Sequence, residues 1–517
     1  MPIVGAFCVN QDKGRCIAYE EPWKCGICTM VCPQKVYGRN KDGQVEVQND
    51  FNCVGCRICV DSCPSESLHI KPAEPEMFTR HIWNSGTVES IHYKAETGDY
   101  MLRGFGTMGP PTPHFDSMVV VPSQIASEAP KDKYREECDM SVVIGEDTCK
   151  YPIKLRVPII IAAMSFGALS YEAKLSFAIG VAATGSLGNT GEGGMLPEEP
   201  WFAHGYDKVG GTEKKWGEGG FFATQWSTGR WGVSAEYLKA GDAVEVKIGQ
   251  GAKPGMGGHL LGAKVTPEVA KIRGIPVGTD ALSPCRYYDV VSGDDIKHQI
   301  DIIRNITDYK VPILMKLGPS RPYKDVVKCV EAGADAISID GMVGGTGCSP
   351  EVVTNGVGIP TIACVVEAVR ALKDMKVHHK VKLFALGGIR SGLDAYKAMA
   401  MGADGVGLGA AAEIALGCRT CMNCHTGGCR YGIATGKADL RYFLTPQEGG
   451  RRIANFINAT AEEIKILTML SGHSETRSLT KEDIRALDLN TAAICGIKLI
   501  GMEDYWPEYW RKLEGGK

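Results

Sequence analysis

From about residue 151 the chain alternates two patterns. Short apolar, partly β-branched runs recur at 158–164, 243–248, 311–317, 336–340, 382–386 and 405–408. Between them lie stretches with helical spacing, among them 292–306, 323–332 and 393–401. Apolar runs that do not alternate with polar positions predict strands buried on both faces, as in a parallel sheet covered by helices. Glycine placement separates an open sheet from a barrel. No G-x-G-x-x-G follows an early strand, which argues against a dinucleotide-binding open sheet. Instead, Gly387 and Gly388 end one late run, and Gly407, Gly409 and Ala410 end the last. That is where a TIM (β/α)8 barrel builds a phosphate site from backbone N–H groups. The expected fold class is α/β, with this barrel over 151–480.

The first 63 residues break the pattern, holding nine of the chain's 20 cysteines. Residues 53–64 carry the full C-x2-C-x2-C-x3-C-P run through Cys53, Cys56, Cys59 and Cys63, the spacing of bacterial two-cluster ferredoxins. An earlier run, Cys25, Cys28 and Cys32, lacks its first cysteine, since Pro22 stands there. Because the fourth cysteine of each run ligates the other cluster, Cys53, Cys56 and Cys59 pair with Cys32. Cys25, Cys28 and Cys63 then lack a fourth ligand. Cys16 is the nearest candidate, with Cys8 behind it, and a three-iron cluster is the alternative to a four-iron one. The expected division is a ferredoxin-like iron–sulfur domain at 1–75, a connecting and covering segment at 76–150, the barrel, and a tail at 481–517. The proline-rich stretch 109–113 belongs to the covering segment, where no chemistry is identified.

At 517 residues, 44% hydrophobic and 23% charged, the chain has ample material for a large core. Lys and Arg number 57 against 60 Asp and Glu, a net charge of -3, which argues against a nucleic-acid binder. No run of about 18 apolar residues exists and the start lacks a signal-peptide layout, so a soluble, cytoplasmic protein without membrane contact is expected. Cysteines in such a compartment are metal ligands, catalytic thiols or core residues. A phosphate site joined to a ferredoxin-like segment points to FMN, which converts one-electron input into two-electron chemistry. A phosphorylated substrate in the same place is the alternative.

Four motifs add a family resemblance. Residues 164–170 with 188–194, residues 246–255 continuing through His259 and Leu260, residues 340–347, and Cys418, Cys424 and Cys429 followed by 432–435 resemble the flavin-binding synthase domain of glutamate synthase. Together they cover roughly 155–440 in the family's order. The two-cluster front end resembles the family's short, archaeal-type version.

The resemblance implies an oxidoreductase that aminates 2-oxoglutarate reductively with ammonia, giving L-glutamate. It places Cys418, Cys424 and Cys429 on a three-iron cluster beside the flavin; Cys421 is an addition here and makes a four-iron cluster possible. Arg430 stands where the family usually has proline. Met164, Ser165, Lys316, Gly344, Gly345, Gly387, Gly388, Gly409 and Ala410 match flavin-contacting stretches. Glu192, Lys253, His259 and Arg273 match positions lining the keto-acid pocket, and Lys247 and Gln250 lie in the same motif. His259 replaces a glutamine of the longer members.

The residue types suit these roles. Arg273 can fork onto a carboxylate and Lys253 can act as a point charge, while Lys253 and Glu192 are candidates for proton transfer. Arg390 reads as a structural or phosphate-neutralising charge, and Cys285, Cys329, Cys348, Cys364 and Cys495 as core or loop thiols.

Glutamine-using family members carry an amidotransferase domain with an N-terminal cysteine nucleophile. Here position 2 is Pro2 and no such domain precedes the synthase region. Ammonia is therefore expected free or from separate glutaminase and scaffold subunits. Electrons are expected from ferredoxin or an NAD(P)H-oxidising subunit, within an oligomer. The alternatives are a paralogue acting on another imine or amino acid, and a non-catalytic electron-transfer subunit.

Overall fold

The computed structural model describes residues 7–72, 94, 95, 97, 99–107, 113–125 and 127–502. The chain beyond 502 and positions 109–112 of the proline-rich stretch lie outside them.

Eight parallel strands close into a barrel: β1 (Ile159–Ile161), β2 (Leu187–Asn189), β3 (Phe221–Trp226), β4 (Ala243–Lys247), β5 (Ile313–Leu317), β6 (Ala336–Asp340), β7 (Lys382–Leu386) and β8 (Gly405–Leu408). Closure is made where Val406, Gly407 and Leu408 of β8 pair with Ile159, Ile160 and Ile161 of β1. The two-residue period of a strand divides the apolar side chains between two cores. Ile160, Leu187, Ala223, Ala243, Leu314, Ala336 and Phe384 point inward. Ile159, Ile161, Val244, Val246, Ile313, Met315, Ile337, Ile339 and Leu383 face the surrounding helices.

A hairpin of Val142–Ile144 against Ile153–Leu155 closes the amino-terminal floor of the barrel. Its Val142, Ile144, Ile153 and Leu155 join the inner core. The segment ahead of the first strand is thus part of the core and straddles residue 150.

The predicted runs at 243–248, 311–317, 336–340, 382–386 and 405–408 coincide with strands, and the three predicted helices with Gly293–Ile306, Pro322–Ala332 and Gly392–Ala400. Two strands went unpredicted. β2 is only Leu-Gly-Asn, and β3 carries Thr224 and Gln225 in its middle. Both break an apolar run because the upper barrel interior is polar. Asn189 and Gln225 donate to Glu245 at 3.1 and 2.7 Å, beneath the cavity described below.

The amino-terminal unit pairs Phe7–Gln11 with Leu68–Pro72, and Tyr37–Arg39 with Val45–Val47. Short helices Ile27–Val31 and Ile58–Asp61 follow the first cysteines of the two runs. It rests on the barrel side through Arg430, which donates to the Met30 carbonyl at 2.6 Å, and Arg419, 3.6 Å from Asp61. Among the described residues no helix is long and apolar enough to cross a membrane.

The long helix Pro446–Leu470 packs closely on Tyr171–Thr184. Small residues allow the approach: a Cβ on Gly180 would fall 2.7 Å from Ile453 Cβ, and one on Gly450 2.5 Å from Ile179 Cβ. Gly180→Val must push the helices apart, at a cost of about 1–3 kcal/mol for overpacking. The expected result is a lower urea midpoint with an unchanged slope; an unchanged midpoint would show that the pair is not tightly packed.

Candidate active site

All carboxyl ends of the strands open into one cavity of about 700 Å3. Parallel strands place their last residues and following loops on this face, which is why TIM barrels carry chemistry there. Met164 and Ser165 follow β1, Glu192 follows β2, and Lys247 ends β4 with Gln250 and Lys253 on its loop. Lys316 lies in β5, Gly344 and Gly345 after β6, Gly387 and Gly388 after β7, and Gly409 and Ala410 after β8. His259 and Arg273 come from the insertion between β4 and β5, on the ribbon His259–Leu260 and the helix Pro267–Arg273. Every active-site and cofactor position expected from the sequence lines this one cavity.

One side of it concentrates charge. Lys247 is 3.0 Å from Glu192, whose other oxygen accepts from Ser283 at 2.8 Å. Burial raises the Glu192 carboxyl, but Lys247, Ser283 and Arg273 outweigh it and hold the group below its ordinary value. Lys253 is 2% exposed and donates to the Cys348 carbonyl at 2.6 Å. Among the described residues it forms no ion pair. Burial, reinforced by Lys247, draws its ammonium down to about 8. Arg273 donates to the Phe166 carbonyl at 2.9 Å, lies over the Trp231 ring and leaves Nε without a partner. Burial draws it down to about 10. Burial and Lys253 also lower His259, against the pull of Asp280 3.8 Å away, favouring its neutral form at pH 7. Gln250 donates to Thr346 at 3.1 Å.

The opposite side is built of backbone. Gly387 and Gly388 adopt φ of 98° and 77°, which only glycine takes without strain. A Cβ on Gly387 would strike the Gly341 carbonyl at 2.8 Å, and one on Gly345 the Phe105 carbonyl at 2.5 Å. Between the two sides Lys316 meets Asp340 at 3.4 Å. Burial pulls its ammonium down, but Asp340, Glu245 and Glu192 more than offset this and hold it above the ordinary value. Arg390 is turned onto Asp394 and Asp116, at 2.8 and 2.5 Å, which makes it a structural charge.

The cysteines fall into three neighbourhoods. Burial raises Cys53 to about 11 and Cys56 to about 12, and Cys59 and Cys32 push both the same way. Burial raises Cys28 to about 12, and Cys16 and Cys25 act in the same direction. Cys16 is buried beside Cys28, whereas Cys8 is exposed. The third run curls by placing Thr420 and Met422 at φ of 53° and 59°, and its Cys424 lines the cavity. Cys421 of this run acts on Cys56, so the third neighbourhood adjoins the second ferredoxin run.

Donors aim at these sulfurs. Gln11 reaches Cys16 at 3.2 Å, the Val36 amide Cys32 at 3.4 Å, Tyr37 Cys59 at 3.1 Å, the Ser67 amide Cys63 at 3.4 Å and the Thr420 amide Cys418 at 3.4 Å. A neutral thiol is a weak acceptor, so this donor set fits thiolates bound to iron. Among the described residues no three His, Cys, Asp or Glu side chains converge on a single-ion site. Thiols spread round a cluster several atoms wide would not. Of the other thiols, Cys329, Cys348, Cys364 and Cys495 are buried and Cys285 is exposed.

Several site residues had no sequence signal. Gln225, Glu413 and Phe105 also line the cavity. Lys174, 3% exposed, donates to the Met164, Asn189 and Thr190 carbonyls at 2.7, 3.1 and 2.9 Å and pairs with Glu199 at 2.8 Å. It ties the ends of β1 and β2 behind the cavity. A lysine within an apolar helix is the one clue the sequence offers to it.

Residues 112–474 match the family described as "Conserved region in glutamate synthase", and residues 23–68 match the "4Fe-4S dicluster domain". The "Glutamate synthase large subunit-like protein" of Rhizobium meliloti (strain 1021) is 39% identical over 435 residues, covering 81% of this chain and 94% of the relative. The "Archaeal-type glutamate synthase (NADPH)" of Thermotoga maritima is 36% identical over 518 residues, 96% of this chain and 97% of the relative. The "Archaeal glutamate synthase (NADPH)" of Archaeoglobus fulgidus is 34% identical over 519 residues, again 96% and 97%. The family region takes in the whole barrel with its charged and glycine-lined rim, and these relatives align along nearly their full length: the chain belongs to the glutamate synthase family.

Proposed function

We propose that the chain is the synthase subunit of a glutamate synthase, forming L-glutamate from 2-oxoglutarate and ammonia. One observation carries this reading. Lys247, Lys253 and Arg273 are buried about a cavity wall where Glu192 balances one of them. Burying unpaired charge is costly, so the remaining two positive charges call for a bound dianion. A dicarboxylate keto acid supplies it, with Arg273 forking onto one carboxylate and Lys253 held against the other.

The glycine-lined side fits the phosphate of FMN, with Gly387, Gly388 and Gly409 leaving backbone N–H groups accessible and Lys316 placed as a fixed cation toward the ring system. Bound there, a flavin supplies a hydride equivalent. Ammonia would condense with the keto group with loss of water, and the imine would then be reduced at C2 while its nitrogen takes any proton it still needs. Lys253, drawn down to about 8, is the group whose acidity suits that proton transfer. Glu192, held anionic and doubly partnered, serves by positioning Lys247 and Ser283 instead. His259 offers a neutral hydrogen-bonding ring.

Iron–sulfur ligands are assigned as Cys32, Cys53, Cys56 and Cys59 for one cluster, Cys16, Cys25, Cys28 and Cys63 for a second, and Cys418, Cys421, Cys424 and Cys429 for a third. Clusters held by these residues would supply one-electron transfer from the amino-terminal unit toward the cavity. A separate glutaminase and scaffold provide ammonia, and ferredoxin or an NAD(P)H-oxidising subunit provides electrons.

Anaerobic turnover of the intact chain with reduced ferredoxin, ammonia and a panel of keto acids tests the reading. Glutamate from 2-oxoglutarate is expected as the preferred product; preference for another keto acid would establish a paralogous amination. Arg273→Lys keeps the charge but loses the fork, at about 1.5–3 kcal/mol, so kcat/KM for 2-oxoglutarate should fall roughly 10- to 100-fold with flavin content unchanged. The ammonium of Lys253 binds the carboxylate, so kcat/KM should decline as pH rises through about 8. A bound carboxylate raises that ammonium, so kcat should hold to higher pH. Superimposed profiles of the two parameters would remove Lys253 from this role. Cys16→Ser should reduce iron and acid-labile sulfide by most of one cluster while Cys8→Ser leaves both intact, and the reverse pattern would exchange the two assignments.

A further inference from the structure

Lys264 belongs neither to the keto-acid wall nor to the glycine cradle. It ends the short turn Gly262–Lys264 in the insertion between β4 and β5, and is 2% exposed. Its ammonium donates to the Ala168 carbonyl at 2.8 Å and to the carbonyl of Cys424 at 3.0 Å. Its aliphatic stem runs beneath the third cysteine run, where a Cβ on Gly427 would lie 3.1 Å from Lys264 Cγ. Among the described residues no carboxylate lies within ion-pair distance of it. The buried Glu413 is the carboxylate whose charge acts on it, from beyond that distance.

A buried cation bonded only to neutral carbonyls has a large uncompensated desolvation cost. Two carbonyls could be met by an uncharged amide. What a lysine adds is charge, placed under a loop of four thiols that would be thiolates on iron. A thiolate-ligated cluster carries net negative charge and gains another on taking up an electron.

We propose that Lys264 is the fixed counter-charge of the third cluster and raises its reduction potential, favouring arrival of electrons from the amino-terminal unit. The inference rests on the reading that Cys418, Cys421, Cys424 and Cys429 bind a cluster. No bond forms or breaks in the step concerned. The cluster gains one electron from the neighbouring cluster, and the ammonium stabilises the added negative charge. Burial strengthens the effect, since the dielectric around the pair is low.

Potentiometric titration followed by electron paramagnetic resonance on the anaerobic holoprotein tests it, comparing the parent with Lys264→Gln and Lys264→Arg. Lys264→Gln should lower the reduced-to-oxidised ratio of the third cluster at least tenfold at fixed poise, a shift of about 59 mV for a one-electron couple. Lys264→Arg should titrate like the parent, and the amino-terminal clusters should not move in either variant. A parental potential in Lys264→Gln, or equal shifts in both variants, would overturn the proposal in favour of a structural tie. If the Gln variant fails to assemble the cluster, the Arg variant decides: assembly at the parental potential supports the charge, and failure or a shifted potential overturns it. Absence of the third cluster from the parent would instead remove the ligand assignment on which the inference rests.

Discussion

Charge removed from water governs the upper half of this barrel. The strand interiors begin apolar at the amino-terminal floor, around Leu314, Ala336 and Phe384, and turn polar toward the rim. There Glu245 accepts from Asn189 and Gln225, and Lys316 faces Asp340. Above this layer sit Lys247, Lys253 and Arg273 with Glu192 between them. Such groups are tolerated only where each finds a partner or awaits a ligand that supplies one. The paired groups form a platform, and the unpaired ones define what the cavity can bind.

That arrangement explains which parts of the fold could be read from the chain. Strands β4 to β7 keep aliphatic or aromatic residues at most positions, so single polar residues such as Glu245 and Lys316 do not hide them, and β8 is a short run of Val and Leu between glycines. β2 and β3 enter the polar layer, so Asn189 and Gln225 interrupt the hydrophobic signal. A three-residue strand with a central glycine has no periodicity to detect. The hairpin under the barrel was equally hidden, because nothing local in Val142–Ile144 says that it faces a barrel end rather than another strand.

The candidate site carries more local sequence signal than the strands do, for a physical reason. Left-handed glycines at 387 and 388, cysteines at cluster spacing and basic residues in glycine-rich loops are demanded locally by what they would hold. Lys174, Lys264 and Glu413 act through neighbours distant in sequence, so no motif surrounds them. Lys174 lies in a helix whose other buried positions carry no charge, and the carbonyls of Met164, Asn189 and Thr190 together with the Glu199 carboxylate reveal its purpose. The family resemblance points to candidate ligands and carries no signal for the side chains packed behind them.

Geometry also imposes an order on the cysteines that spacing alone does not. The second ferredoxin run is the one whose Cys56 feels Cys421, and the ion pair of Asp61 with Arg419 fixes the same contact. The first run forms no ion pair with the third among the described residues and meets it through a hydrogen bond instead. Cys424 in turn reaches the cavity wall. These contacts place the third run between the second ferredoxin run and the cavity wall. Arg430, in place of the family's proline, donates to the Met30 carbonyl of the first ferredoxin run, so both runs of the amino-terminal unit are anchored to the third.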